Sequence, residues 1–134
     1  MGKVKMKTDD MINLPVRTDR TKEGPKFNFE FPVLFIDYDY EEDDGSLIWV
    51  RIKFLNVLAY QFRQEPCCIS EDIDANNVIL KLIESRWLNE MRQRRSVYFG
   101  SQGSKSDEGL YAHWKIFFDN IGCLDVIAGG YEIV

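Results

Sequence analysis

The chain has 134 residues, 45% of them hydrophobic and 13% aromatic, and a formal net charge of -5. That length suits one domain, and the apolar fraction is enough to bury a core, which excludes global disorder. The longest uncharged apolar runs, such as Val33 to Ile36 and Val78 to Leu80, fall far short of the roughly 20 residues that cross a bilayer.

Charge is unevenly distributed. Residues 1 to 26 carry seven Lys/Arg against four Asp/Glu, which leaves ten against eighteen in residues 27 to 134. An excess of carboxylates repels nucleic-acid phosphates, and neither an RNP-like strand nor a basic recognition helix is visible, so a nucleic-acid partner is not expected. The lysines near the start precede no apolar h-region, so no secretory signal is expected and the cytoplasm is the expected location. Cys67, Cys68 and Cys123 are odd in number and lack CxxC spacing, which predicts reduced, structural thiols.

Residues 1 to 26 mix charge with Thr, Pro15, Gly24 and Pro25 and show no sustained period. They read as a loosely attached arm whose Met11, Ile12, Leu14 and Val16 dock as one short strand. Residues 27 to 134 read as the single folded domain. Phe27 to Phe31 alternates aromatic with polar residues until Pro32, as an edge strand does. Val33 to Tyr40 has strand composition, and Glu41 to Ser46 supplies the Asp-Gly signal of a hairpin turn. In the return strand Ile48, Val50, Ile52 and Phe54 share one face while Trp49, Arg51 and Lys53 share the other, which should be wet. Asn56 breaks the run, and Leu58 to Arg63 reads as the third strand of a meander that ends at Pro66.

Ser70 and the acidic residues after it suit a helix N-terminus. Ile79, Ile83, Trp87 and Met91 then recur every four residues, with Leu80 and Leu82 widening the stripe and Lys81, Glu84, Arg92, Arg94 and Arg95 mainly opposite. This predicts one long amphipathic helix lying on the sheet. Gly100 to Gly109 is rich in glycine and serine and reads as a flexible loop. Leu110 to Phe118 alternates, Asp119 to Gly122 reverses the chain, and Cys123 to Val134 is strand-like, with Gly129-Gly130 as a bulge or bend. The expected fold class is α+β, an antiparallel sheet of meander plus C-terminal hairpin packed on one long helix.

The densest chemical feature is D-Y-D-Y-E-E-D-D-G, where Asp37 and Asp39 share a strand face and Glu41, Glu42, Asp43 and Asp44 follow at the turn. Three readings are open: a solvated hairpin tip that discourages edge pairing, a patch for a basic protein partner, or oxygen ligands for a divalent cation. EF-hand spacing is absent. His113, the single histidine, sits in a strand-like stretch with no nucleophile motif in the chain, and reads as structural. Gly100 to Lys105 lacks the spacing of a phosphate-binding loop, and Arg92, Arg94 and Arg95 read as favourable charge at a helix C-terminus. No catalytic set and no cofactor is predicted.

The carboxylate-rich meander, the words E-S-R-W-L-N-E at Glu84 to Glu90, and Y-A-H-W-K-I-F-F-D-N-I-G-C-L-D-V-I-A at Tyr111 to Ala128 together resemble the small acidic immunity proteins encoded beside polymorphic or contact-dependent bacterial toxins, over residues 33 to 134. The resemblance implies stoichiometric inhibition of a toxin, often a basic nuclease, by covering its surface. In that reading Asp37, Asp39, Glu41, Glu42, Asp43 and Asp44 supply a steering field, and Tyr38 and Trp49 supply contact area if they face outward. An adaptor module using the same edge and a carboxylate metal enzyme are the alternatives. An uncovered sheet face carrying Trp49 would equally suit a homodimer.

Overall fold

The computed structural model describes residues 8–15, 17–100 and 110–134. The strands are β1 (Thr8–Asn13), β2 (Lys26–Glu30), β3 (Val33–Glu41), β4 (Leu47–Leu55), β5 (Ala59–Gln64), β6 (Val78–Leu82), β7 (Ala112–Phe118), β8 (Gly122–Ala128) and β9 (Gly130–Ile133). A one-turn helix α1 (Ser70–Ile73) and a long helix α2 (Arg86–Phe99) flank β6. The class is α+β with antiparallel strands and one long helix, as expected.

The strands form two sheets, ordered β1-β6-β7-β8-β5 and β2-β3-β4-β9. They meet face to face over a common core in which Leu34, Ile36, Tyr38, Ile52 and Phe54 from one sheet meet Trp114, Ile116, Phe118, Leu124 and Val126 from the other. Aromatic contacts cross the interface, with Tyr38 edge-on to Phe118 at 5.6 Å and Phe54 against Trp114 at 6.2 Å. The helix is therefore not the main cover of a single sheet. Each sheet covers the other, and α1 and α2 sit against the outer face of the five-stranded one through particular residues, including Asp72, Ser85 and Trp87.

The expected meander is broken at Asn56. That residue takes φ 53, a left-handed value that asparagine tolerates better than most side chains. The chain turns there out of the four-stranded sheet, and β5 pairs with β8 in the other sheet, Phe62 opposite Leu124. Gly129 reverses the crossing: its N–H bonds to Leu55 O, and β9 joins β4. The expected bend at Gly129-Gly130 is thus the second passage between sheets.

The predicted helix around Ile79 is a strand. Val78, Leu80 and Leu82 face a small second core with Ala75, Phe117 and Cys123, while Ile79 faces the main core, so the segment has a period of two. Four apolar residues in a segment of five satisfy both periods, and the true helix start is Ser85, whose Oγ accepts from Leu88 N at 3.0 Å. Within α2 only Leu88 is fully buried, so the stripe drawn through Ile79, Ile83, Trp87 and Met91 is not the packing face of one helix.

Residues 17–26 and β1 belong to the fold instead of hanging from it. β1 is an edge strand paired with β6, Met11 opposite Leu80. Thr18 is fully buried and bonded through N, Oγ1 and O to Asn77, Asn76 and Asp119. Lys26 opens β2, the predicted edge strand, so no boundary falls at residue 26. Val16 and residues 101–109 of the stretch expected to be a loop lie outside the described residues.

Candidate functional site

The β3–β4 hairpin carries the carboxylates singled out above, and the structure divides them. Period-two alternation sends Leu34, Ile36 and Tyr38 into the core, so Tyr38 is fully buried and offers no contact area. Asp39 is also fully buried, under residues 22–24. Its carboxylate accepts the backbone N–H groups of Lys22, Glu23 and Gly24 at 2.6–3.1 Å. Burial disfavours its charge, but these donors outweigh burial and hold its pKa below the usual carboxylate range. Asp39 fastens the preceding loop and cannot meet a partner. A side chain on Gly24 would strike Asp37 O at 2.9 Å, so the bare backbone is what lets this loop close over the carboxylate.

Asp37 is half-buried and engaged by Arg51 Nε and Nη2 at 2.8 and 3.0 Å, a two-pronged pair across the register Asp37–Arg51. The two strand carboxylates are therefore occupied by protein donors, which counts against the cation reading of this segment. Glu41 pairs with Lys22 at 2.7 Å and Asp43, fully exposed, with Arg20 at 2.9 Å. Four tip carboxylates thus meet two cations from residues 17–26, so the basic segment trims the field that the hairpin sequence alone would produce. Glu42 and Asp44 remain as exposed acids, with Asp44 shaping the turn by accepting from Ser46 N and Oγ at 2.9 and 2.6 Å. Arg20, Tyr40, Glu42, Asp43 and Asp44 line a shallow depression there. Trp49 faces outward as expected, 42% exposed, with the Lys26 ammonium 4.9 Å from its ring centroid.

A second constellation, absent from the sequence-based site, lies on the outer face of the five-stranded sheet. In β7 and β8 the residues Trp114, Ile116, Leu124 and Val126 fill the main core, which turns His113, Lys115, Cys123 and Asp125 to the opposite face. Arg63 from β5 and Asp72 from α1 complete the set. Lys115 Nζ bonds Asp72 and lies 3.1 Å from Asp125; Arg63 Nη2 reaches Asp72 at 3.0 Å and Asp125 at 2.6 Å. Asp72, Lys115 and Asp125 are almost completely buried.

Two carboxylates against two cations make a neutral buried group. Burial opposes every charge in it. For Asp125, the His113 hydrogen bond and the Lys115 and Arg63 charges prevail and hold its pKa well below the usual range. Asp72 is lowered against burial by Lys115, by the Ile69 N–H and by Arg63, while Lys115 is raised against burial by Asp125 and Asp72. Burial, with Asp125 nearby, pushes the Cys123 thiol far up, so it stays protonated.

Asp72, Cys123 and Asp125 bring one ligand atom each to within 4.8 Å of one another. The Lys115 ammonium stands at both carboxylates and the thiol is not a thiolate, so the cation of this cluster is the protein's own. His113 links the cluster to α2: Nε2 lies 2.5 Å from Asp125 Oδ1, Nδ1 lies 2.8 Å from Ser85 Oγ, and the Trp87 ring stands edge-on at 5.4 Å. The sequence did hold a signal for this cluster. Asp125 interrupts the apolar run of Cys123 to Ala128, and Lys115 falls opposite it in the C-terminal hairpin.

Comparison with known proteins finds no matching family model, no similar curated protein and no similar solved structure.

Proposed function

We propose that the protein acts by binding, as a stoichiometric inhibitor of a basic protein, in the manner of the immunity proteins that its sequence resembles, and that it works in the bacterial cytoplasm. The observation that carries this reading is the exposed tip Glu42, Asp43 and Asp44 on the same hairpin as the outward-facing Trp49. Exposed acids, only Asp43 of them paired with a cation, beside a large exposed aromatic ring combine long-range attraction with a contact that desolvates on docking. The interface set contracts from the sequence-based list to Glu42, Asp43, Asp44 and Trp49, with Glu41 and Asp37 at its margin.

The experiment is co-purification of the tagged protein with the product of the adjacent gene, followed by a growth assay of that product with and without this protein. A basic partner whose toxicity is suppressed supports the proposal. A regulatory neighbour that binds without toxicity would place the same edge in an adaptor, and absence of any complex would remove the inhibitor reading.

A further inference from the structure

A separate site stands at the start of α2. We propose that Ser85 is a base-activated nucleophile that accepts an acyl group from small carboxylic esters, with His113 as its general base and Asp125 as the residue that positions the imidazole.

The geometry supplies each part. Asp125 is ionised and can only accept, so the 2.5 Å contact to His113 Nε2 places a proton on that nitrogen. In the neutral ring Nδ1 is then the acceptor, and its partner at 2.8 Å is the Ser85 hydroxyl. Ser85 Oγ in turn accepts from Leu88 N, which fixes its direction. His113 and Asp125 are buried while Ser85 is half-buried, so Ser85 is the most accessible residue of the three.

α2 has 14 residues, and the N–H groups of its first turn have no partner within the helix. Leu88 N serves the Ser85 oxygen itself. The amides of Arg86 and Trp87 belong to the same first turn and are the donors this proposal assigns to a developing oxyanion.

In the step, the Ser85 Oγ–H proton passes to His113 Nδ1 as the Oγ–C bond forms at the ester carbonyl. The same proton goes to the departing alkoxide as the C–O bond breaks. Water, giving its proton to His113, then cleaves the acyl-serine and restores the hydroxyl. Lys115 and Arg63 also hold Asp125 and share its charge, so acylation is slow beside that of a dedicated hydrolase.

The test uses the whole chain and a fluorophosphonate probe, which forms an Oγ–P bond with loss of fluoride. Peptide mapping by mass spectrometry compares Ser85 with Ser70, an exposed serine at the start of α1, in the same sample. Ser85 is expected to react roughly 100-fold faster than Ser70. Reaction at Ser85 no faster than at Ser70 would overturn the proposal and leave Ser85 as a helix cap alone. Ser85→Asn keeps a capping oxygen and should lose the dominant adduct. His113→Gln, checked for folding by circular dichroism, should bring Ser85 down to the rate of Ser70. Labelling of that variant at the parental rate would remove His113 as the base. Should His113→Gln fail to fold, the ratio of Ser85 to Ser70 in the parent protein decides alone.

Discussion

The β3–β4 tip and the outer face of β7 and β8 each gather acidic and basic side chains, yet the physical consequences are opposite. At the tip, Glu42, Asp43 and Asp44 stand in water, where their ion pairs are screened and each contributes little to stability. Under α1 and the start of α2, Asp72, Asp125 and Lys115 have left water, and each charge is tolerable only because the others are present. Density of charge in the sequence pointed to the first region. Cost of burial marks the second, and that cost depends on strand pairing that brings Arg63, Asp72, Lys115 and Asp125 together from four separate elements.

The largest effect expected from this contrast follows from Lys115→Met. The methionine fits the volume but leaves Asp72 and Asp125 facing each other with Arg63 as the remaining Lys or Arg partner among the described residues, so stability in urea unfolding should fall by about 3–5 kcal/mol. A loss below about 1 kcal/mol would mean that water enters the cluster freely and that the two regions do not differ in kind.

Acid should act on the same place. Asp125 and Asp72 have folded pKa values lowered from the ordinary carboxylate range, so they contribute stability that is fully present above the unfolded value of about 3.9 and is lost as pH falls through their lower folded values. Unfolding free energy measured by urea titration from pH 5 downward should therefore decline below about pH 4. Asp125→Asn, although less stable throughout, should show a shallower decline. Equal slopes in the two proteins would assign the acid sensitivity elsewhere. Lys115 works at the other extreme: its raised pKa adds stability below about 10.4, lost only as pH rises through the folded value.

Asp39→Ala tests the border between the regions. It removes an acceptor that three backbone N–H groups share, so a loss of about 1.5–3 kcal/mol is expected, with no change in the rate at which a basic partner associates. A slower association at unchanged stability would return Asp39 to the binding surface.

What could be read in advance followed from local chemistry. The Asp-Gly turn at Asp44-Gly45, the wet face with Trp49, the edge strand ending at Pro32 and the hairpin of Leu110 to Ala128 all arise from short-range signals. Tyr38 was legible too: it is in phase with Leu34 and Ile36 and out of phase with Asp37, so a surface containing both Tyr38 and Asp37 contradicts the period of two. Ile79 was not, because a five-residue segment with four apolar residues between two helices fits a helix as well as a strand until β1 and β7 pair with it. The crossing at Asn56 and the assembly of the buried cluster depend on contacts between residues 9 to 62 apart in the chain, beyond the reach of any local pattern.

The smallest effect on the fold, and the most informative for function, is expected at the tip itself. Replacing Glu42, Asp43 and Asp44 together by Gln, Asn and Asn leaves turn-compatible residues at the loop and removes only solvated charge and the Arg20 pair, so stability should stay within about 0.5 kcal/mol. The same change should slow association with a basic partner by roughly tenfold at low ionic strength, and the difference should shrink as salt rises toward the point where exposed charges are screened. The salt dependence separates the two explanations for such a loss: a field effect disappears with screening, whereas a lost contact does not. If the triple variant associates as fast as the parent protein in low salt, the hairpin tip is only a solvated turn, and Trp49 alone remains of the proposed surface.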